Sequence, residues 1–164
     1  MAQALTKPAS SAAEHNRGDG TTPVTEGMRA MITTHVFGFA TDAEPRRVWS
    51  ALTEAAHTRR YLRGVALEST WAPGAQVVLR QGDVATGAGE VLNATTAERL
   101  SLVVDGGHGP DTYLTWTIRP VGAGSVVRLY VDSPGGAVDE DEVEEHWLPV
   151  MADLFALLAG AEVR

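Results

Sequence analysis

Between Leu100 and Asp132 the chain switches between apolar and polar at nearly every second residue, in three runs separated by short glycine-containing turns. Leu114, Trp116 and Ile118 alternate with Tyr113, Thr115 and Thr117, while Val127, Leu129 and Val131 alternate with Val126, Arg128 and Tyr130. A period of two predicts strands with one covered face over Leu100–Asp105, Thr112–Arg119 and Ser125–Asp132. The intervening segments, 106–110 and 121–124, are short enough for hairpins, so these strands should be antiparallel neighbours in chain order. After Pro134, Gly135 and Gly136 the period changes: Val143, Trp147, Val150, Met151, Leu154 and Leu158 recur at helical spacing. A one-faced sheet followed by a one-faced helix predicts an α+β fold in which the helix covers the sheet. Asp139 followed by Glu142 resembles a capping box. Pro149 opposes one unbroken helix, because an interior proline loses a hydrogen bond and clashes with the preceding turn at a cost of about 3 kcal/mol. The sequence therefore predicts a kink near Glu145 or a second helix starting near Trp147.

Upstream of this block the pattern is weaker but ordered. Ile32–Ala40 reads as a strand, with His35, Phe37 and Phe39 on one parity. Asp42 or Thr41 can cap a helix over Arg46–Leu52 with Pro45 in its first turn, and a second short helix covers Glu54–Arg60. Val65–Ser69, a turn at Trp71–Gly74, Gln76–Arg80, and Gly87 and Gly89 introducing Glu90–Leu92 complete the series. Residues 1–30 offer almost no large apolar side chain, and ordering each backbone residue costs about 1–2 kcal/mol. They are expected to form a disordered leader, which Met28 and Met31 would allow to lie upstream of a translation start, ahead of one folded domain over 31–164.

Charge and composition narrow the chemistry. The formal charge is −8, but Asp139, Glu140, Asp141, Glu142, Glu144 and Glu145 form one run, and the remainder is close to balance. No basic cluster exceeds an arginine pair and Lys7 is the only lysine, so nucleic acid is not an expected partner. With no cysteine, thiol nucleophiles, disulfides and cysteine-based metal sites are excluded. No apolar run is long enough to span a membrane, and no signal segment leads the chain; the reading is a soluble, cytoplasmic protein. His35, His57, His108 and His146 are dispersed, the acidic run lacks calcium-loop spacing, and neither a metal nor any other cofactor is expected.

The order of pieces and several local motifs resemble the START-like helix-grip superfamily, which includes polyketide cyclase/dehydrase and lipid-transport-like proteins. The similarity is greatest to the branch homologous to the C-terminal domain of the heat-shock-protein ATPase activator. It rests on Ala43–Thr53, Trp71–Gly74, Gly89–Leu92 running to Glu98–Leu100, Leu114–Pro120 before Gly122-Ala123-Gly124, and Trp147 leading into Leu154, Leu157 and Leu158. The resemblance implies six or seven antiparallel strands curved around a long C-terminal helix, two small helices after the first strand, and often a cavity between sheet and helix. The sequence departs from the branch at Thr95-Thr96-Ala97, where a proline-containing turn is common, and at His146, where a glycine often precedes the tryptophan.

The implied occupant of such a cavity is a hydrophobic or aromatic small molecule, bound without catalysis. Candidate lining residues are Phe37, Phe39, Trp71, Tyr113, Trp116 and Trp147 for aromatic walls, with Arg80 and His146 as polar groups. Ordinary core packing also explains the tryptophans, and a sheet-surface charge explains Arg80. His146 is a possible general base in a cyclase/dehydratase-like enzyme; Asp105, His108, Asp111 and Tyr113 form an alternative polar cluster at one hairpin. A protein-binding module of the ATPase-activator kind, using the acidic run or the outer sheet face, is the third reading. A monomer and a homodimer paired through a sheet edge both fit the sequence.

Overall fold

The computed structural model describes residues 32–105, 111–134 and 139–160. Seven strands form one antiparallel sheet: β1 (Ile32–Thr41), β2 (Val65–Glu68), β3 (Gln76–Gln81), β4 (Val84–Thr95), β5 (Arg99–Val104), β6 (Thr112–Val121) and β7 (Gly124–Pro134). Their spatial order is β1-β7-β6-β5-β4-β3-β2, so β2 to β7 run as a meander and β1 closes against β7. Helices α1 (Pro45–Thr53) and α2 (Ala55–Tyr61) connect β1 to β2, and α3 (Glu140–Leu158) follows β7. This is the helix-grip α+β architecture.

The alternation dictates the faces. Leu114, Trp116 and Ile118 of β6 and Val127, Leu129 and Val131 of β7 are buried on the side that meets α3, together with Leu100 and Leu102 of β5. Register agrees, since Trp116 lies opposite Leu129 and Leu100, and Phe37 opposite Leu129 from the other side. Register shifts between Leu79 and Arg80 and between Val91 and Asn93 mark bulges, which raise the local twist and bend the sheet.

Three local expectations change. The first helix starts after Glu44, not at a side-chain cap from Asp42 or Thr41. Pro45 holds the preceding residue extended, at φ −65° and ψ 156°, and the Thr41 hydroxyl instead accepts from the Ala43 amide at 3.2 Å. The fourth strand begins at Val84, so Gly87 and Gly89 lie within it instead of preceding it. The closing helix runs unbroken through Pro149. Burying one large apolar side chain contributes about 1.5–3 kcal/mol, so Val150, Met151, Leu154 and Leu158 together outweigh a proline cost of about 3 kcal/mol. At its start, Asp139 accepts from the Asp141 amide at 3.0 Å. The 1–30 leader, His108 with its turn, and Gly135 and Gly136 lie outside the described residues.

Gly89 has a specific steric reason: a Cβ there would stand 2.3 Å from the Val103 carbonyl oxygen on β5. Gly87 differs, a Cβ there meeting only the Leu79 side chain, at 3.6 Å from Cδ2 and 3.7 Å from Cβ. Gly89→Ala is therefore expected to destabilise by at least about 1–3 kcal/mol. Gly87→Ala should stay within about 1 kcal/mol of the parent in urea unfolding.

Candidate functional site

Helix α3 does not cover the sheet evenly. Its closest neighbours are β1, α1 and α2. Over β2, β3, β5 and β6 a cavity of about 470 Å³ remains. Val65, Leu67 and Leu79 form one wall and Leu100, Leu102, Val104, Leu114 and Trp116 the floor; Leu52, Tyr61 and Leu62 come from the helical side, and His146 and Trp147 from α3. Asp105 and Thr112 are polar lining groups at facing strand ends.

The helical wall is fixed by one buried hydroxyl. Thr58 of α2 is fully buried; its Oγ1 donates to the Ala55 carbonyl at 3.2 Å and accepts from the Leu67 amide of β2 at 2.9 Å. One turn later Tyr61 ends the helix, 1% exposed and lining the cavity. Burial pushes its phenol pKa well above the ordinary range, so the group stays protonated.

His146 packs edge-on to Trp147, with ring centroids 4.9 Å apart and planes at 84°. It remains solvent-exposed overall, but partial desolvation, and then the charge of Arg63, lower its pKa from the ordinary 6.5. Neutral imidazole therefore dominates at pH 7, able to accept a proton or a hydrogen bond.

The remaining candidates scatter. Phe37 belongs to the core beneath α3, and Phe39 meets Phe155 edge-on at 5.4 Å; neither lines the cavity. Trp71 donates from its indole to the Thr53 carbonyl at 2.9 Å, tying the β2–β3 connection to α1. Arg80 has the opposite parity to the cavity-lining Leu79 and pairs with Glu68 at 2.8 Å, so it is a sheet-surface charge and not a cavity group. Tyr113 likewise faces away from Leu114, beside Ile32, Arg99 and Asp132 in an outer groove. Trp116, His146 and Trp147 are thus brought together, while Tyr61, Thr112 and the leucine walls are lining groups the sequence reading did not select. The spacing of Thr58 and Tyr61, three apart in a short helix, was the available signal for the inward face of α2.

Besides the outer groove beside Tyr113, of about 480 Å³, two further depressions are found among the described residues. A groove of about 760 Å³ at the opposite end is open and formed largely by the β1–α1 corner and the β6–β7 turn, with Arg47 and exposed Phe155. A smaller cleft of about 170 Å³ gathers Arg47, His57 and Arg60. Neither has the continuous apolar wall of the sheet–helix cavity. No group of acidic and histidine side chains among the described residues is arranged to hold a metal ion.

The family model for activator of Hsp90 ATPase homolog 1-like protein matches residues 42–159. The chain belongs to this family. The matched span runs from the β1–α1 turn to the end of α3, taking in every element that lines the cavity. Among solved structures, protein CV1439 from Chromobacterium violaceum is similar at 19% identity and TM-score 0.60, over 76% of this chain and 96% of that one. CalU16 from Micromonospora echinospora is similar at 19% identity and TM-score 0.62, over 76% and 74%. DynU16, from the dynemicin biosynthetic locus, is similar at 20% identity and TM-score 0.66, over 80% and 49%. These likenesses establish the helix-grip fold. No curated protein matches the sequence. No described helix is long and apolar enough to cross a membrane.

Because the folded-state pKa of His146 lies below its unfolded value, the unfolded chain binds more protons between the two. The contribution of this residue to stability is then largest above pH 6.5 and falls as pH drops from 6.5 through the folded-state value. Titration followed by NMR should give His146 a midpoint below 6.5. Arg63→Gln should move that midpoint upward by removing the neighbouring charge.

Proposed function

We propose that this protein binds or carries a hydrophobic or aromatic small molecule in the sheet–helix cavity without transforming it. The observation that carries this reading is the cavity itself: about 470 Å³, walled by leucine, valine and tryptophan, with a few polar groups among the lining. Family membership and the helix-grip fold support it, and the origin of DynU16 in a biosynthetic locus is compatible with a natural-product ligand. Burying about 200 Å² of apolar ligand surface at about 25 cal/mol per Å² supplies roughly 5 kcal/mol, comparable to the smallest losses of association of about 4 kcal/mol, so the polar contacts decide the affinity.

A second reading has one observation in its favour. Neutral His146 borders the same space as Asp105 and Thr112, which suits proton exchange in a cyclase- or dehydratase-like reaction. The two readings differ in what leaves the protein. Small molecules retained through gentle purification should be recovered chemically unchanged, and identical from wild type and His146→Gln. Recovery from wild type alone of a product one water lighter would favour catalysis.

Filling the cavity tests the shared premise. Leu79 is half-buried at its wall, so Leu79→Trp should fold normally and lower retention of the bound molecule by about tenfold or more. A wild-type protein that purifies empty and takes up no naphthalene-type probe would overturn both readings.

A further inference from the structure

Tyr61 is a polar group that the fold does not use. Its side chain is inside the cavity wall and 1% exposed, yet no hydrogen bond joins its hydroxyl to any described residue, and burial alone accounts for its raised pKa. Among the described residues the side-chain atom fully buried without a hydrogen-bond partner is His35 Nδ1, so the Tyr61 hydroxyl keeps contact with the open space of the cavity, where water or a ligand can satisfy it. The helix that carries it is not free to withdraw it: Thr58 clamps α2 to the Leu67 amide, and the His57 ring bonds the Ser50 carbonyl at 3.1 Å. The donor is thus held in place facing a space with an apolar floor of Leu100, Leu102 and Leu114.

We propose that Tyr61 is the specificity-determining hydrogen-bond donor of the cavity, and that the ligand carries an uncharged carbonyl acceptor on an aromatic or polycyclic body, as an aromatic ketone or quinone does. This inference rests on the small-molecule reading above and deepens it. Three physical points select the acceptor. The phenol stays protonated, so it donates at every physiological pH. A carboxylate or phenolate at the inner wall would lose its hydration with no lysine or arginine among the lining groups to offset that loss. A ligand with no acceptor would displace water from the hydroxyl and leave it unpaired, which penalises plain hydrocarbons and fatty chains relative to ketones of the same shape.

The test compares 9-fluorenone with fluorene, flat molecules of nearly the same shape that differ by one carbonyl, by equilibrium dialysis against the full chain and its Tyr61→Phe variant. The variant should weaken fluorenone by about tenfold relative to fluorene, while fluorene binding changes by no more than about twofold. Its Tm should equal or exceed that of wild type, because only an unpartnered hydroxyl is removed. Equal effects of Tyr61→Phe on the two compounds would overturn the proposal and leave the cavity reading standing. A clear fall in Tm would also overturn it, by revealing that the fold itself holds the hydroxyl. Failure of both compounds to bind wild type would remove the cavity reading and this inference together.

Discussion

The cavity exists because α3 is apolar along only part of its length. From Val150 to Leu158 the helix presents Val150, Met151, Leu154, Leu157 and Leu158 to the sheet, and there the sheet is covered. Toward its start, Glu140, Asp141, Glu142, Glu144 and Glu145 occupy most positions and are exposed. Carboxylates cannot fill an apolar space without losing hydration that nothing repays, whereas they are favourable at the positive end of a helix. The sheet beneath remains apolar through Leu102, Leu114 and Trp116, so an apolar floor faces a helix segment that contributes only Val143 to the core and His146 and Trp147 to the cavity lining.

That imbalance makes the rest of the framework necessary. A sheet edge without helix cover must be closed from elsewhere, and α1 and α2 do so between β1 and β2. Their attachment is polar and local: the Thr58 hydroxyl on Leu67, the Trp71 indole on the Thr53 carbonyl, and His57 on Ser50. Such bonds contribute about 0.5–1.5 kcal/mol each, less than a full apolar interface would, but they do not require the intervening space to be filled. The wall is therefore held at a distance from the floor, and a void too costly for an ordinary core is maintained by its rim.

Much of this was legible in the chain and some was not. The alternation in β5, β6 and β7 identifies strands and faces because a period of two has one structural solution, and the α3 stripe likewise reports a helix. The start of β4 was hidden by Gly87 and Gly89, whose meaning depends on a neighbouring strand: the Val103 carbonyl that excludes a side chain at Gly89 is fourteen residues away and invisible to any local pattern. Pro149 misled for a related reason, since its local cost is offset by long-range burial. At the site, aromatic identity found Trp116 and Trp147 but also drew in Trp71, Phe39 and Tyr113. A large ring marks burial or an interface without saying which cavity, and Tyr113 and Leu114, adjacent in sequence, look in opposite directions.

The polar groups of the cavity are unequal in a way that bears on how a molecule would lie in it. His146 is solvent-exposed, near the positive charge of Arg63, and Asp105 and Thr112 stand at strand ends; Tyr61 is at the inner wall, 1% exposed and neutral. A symmetric hydrocarbon would find no reason to prefer either direction. A molecule with one uncharged acceptor and one hydrated or ionisable end would, because each end placed wrongly loses hydrogen bonds or hydration while the apolar contacts stay the same. Orientation in this cavity is thus governed by a small difference among polar groups set against a large, directionless apolar term. The unpartnered hydroxyl at Tyr61 supplies that difference only because α2 cannot turn it elsewhere.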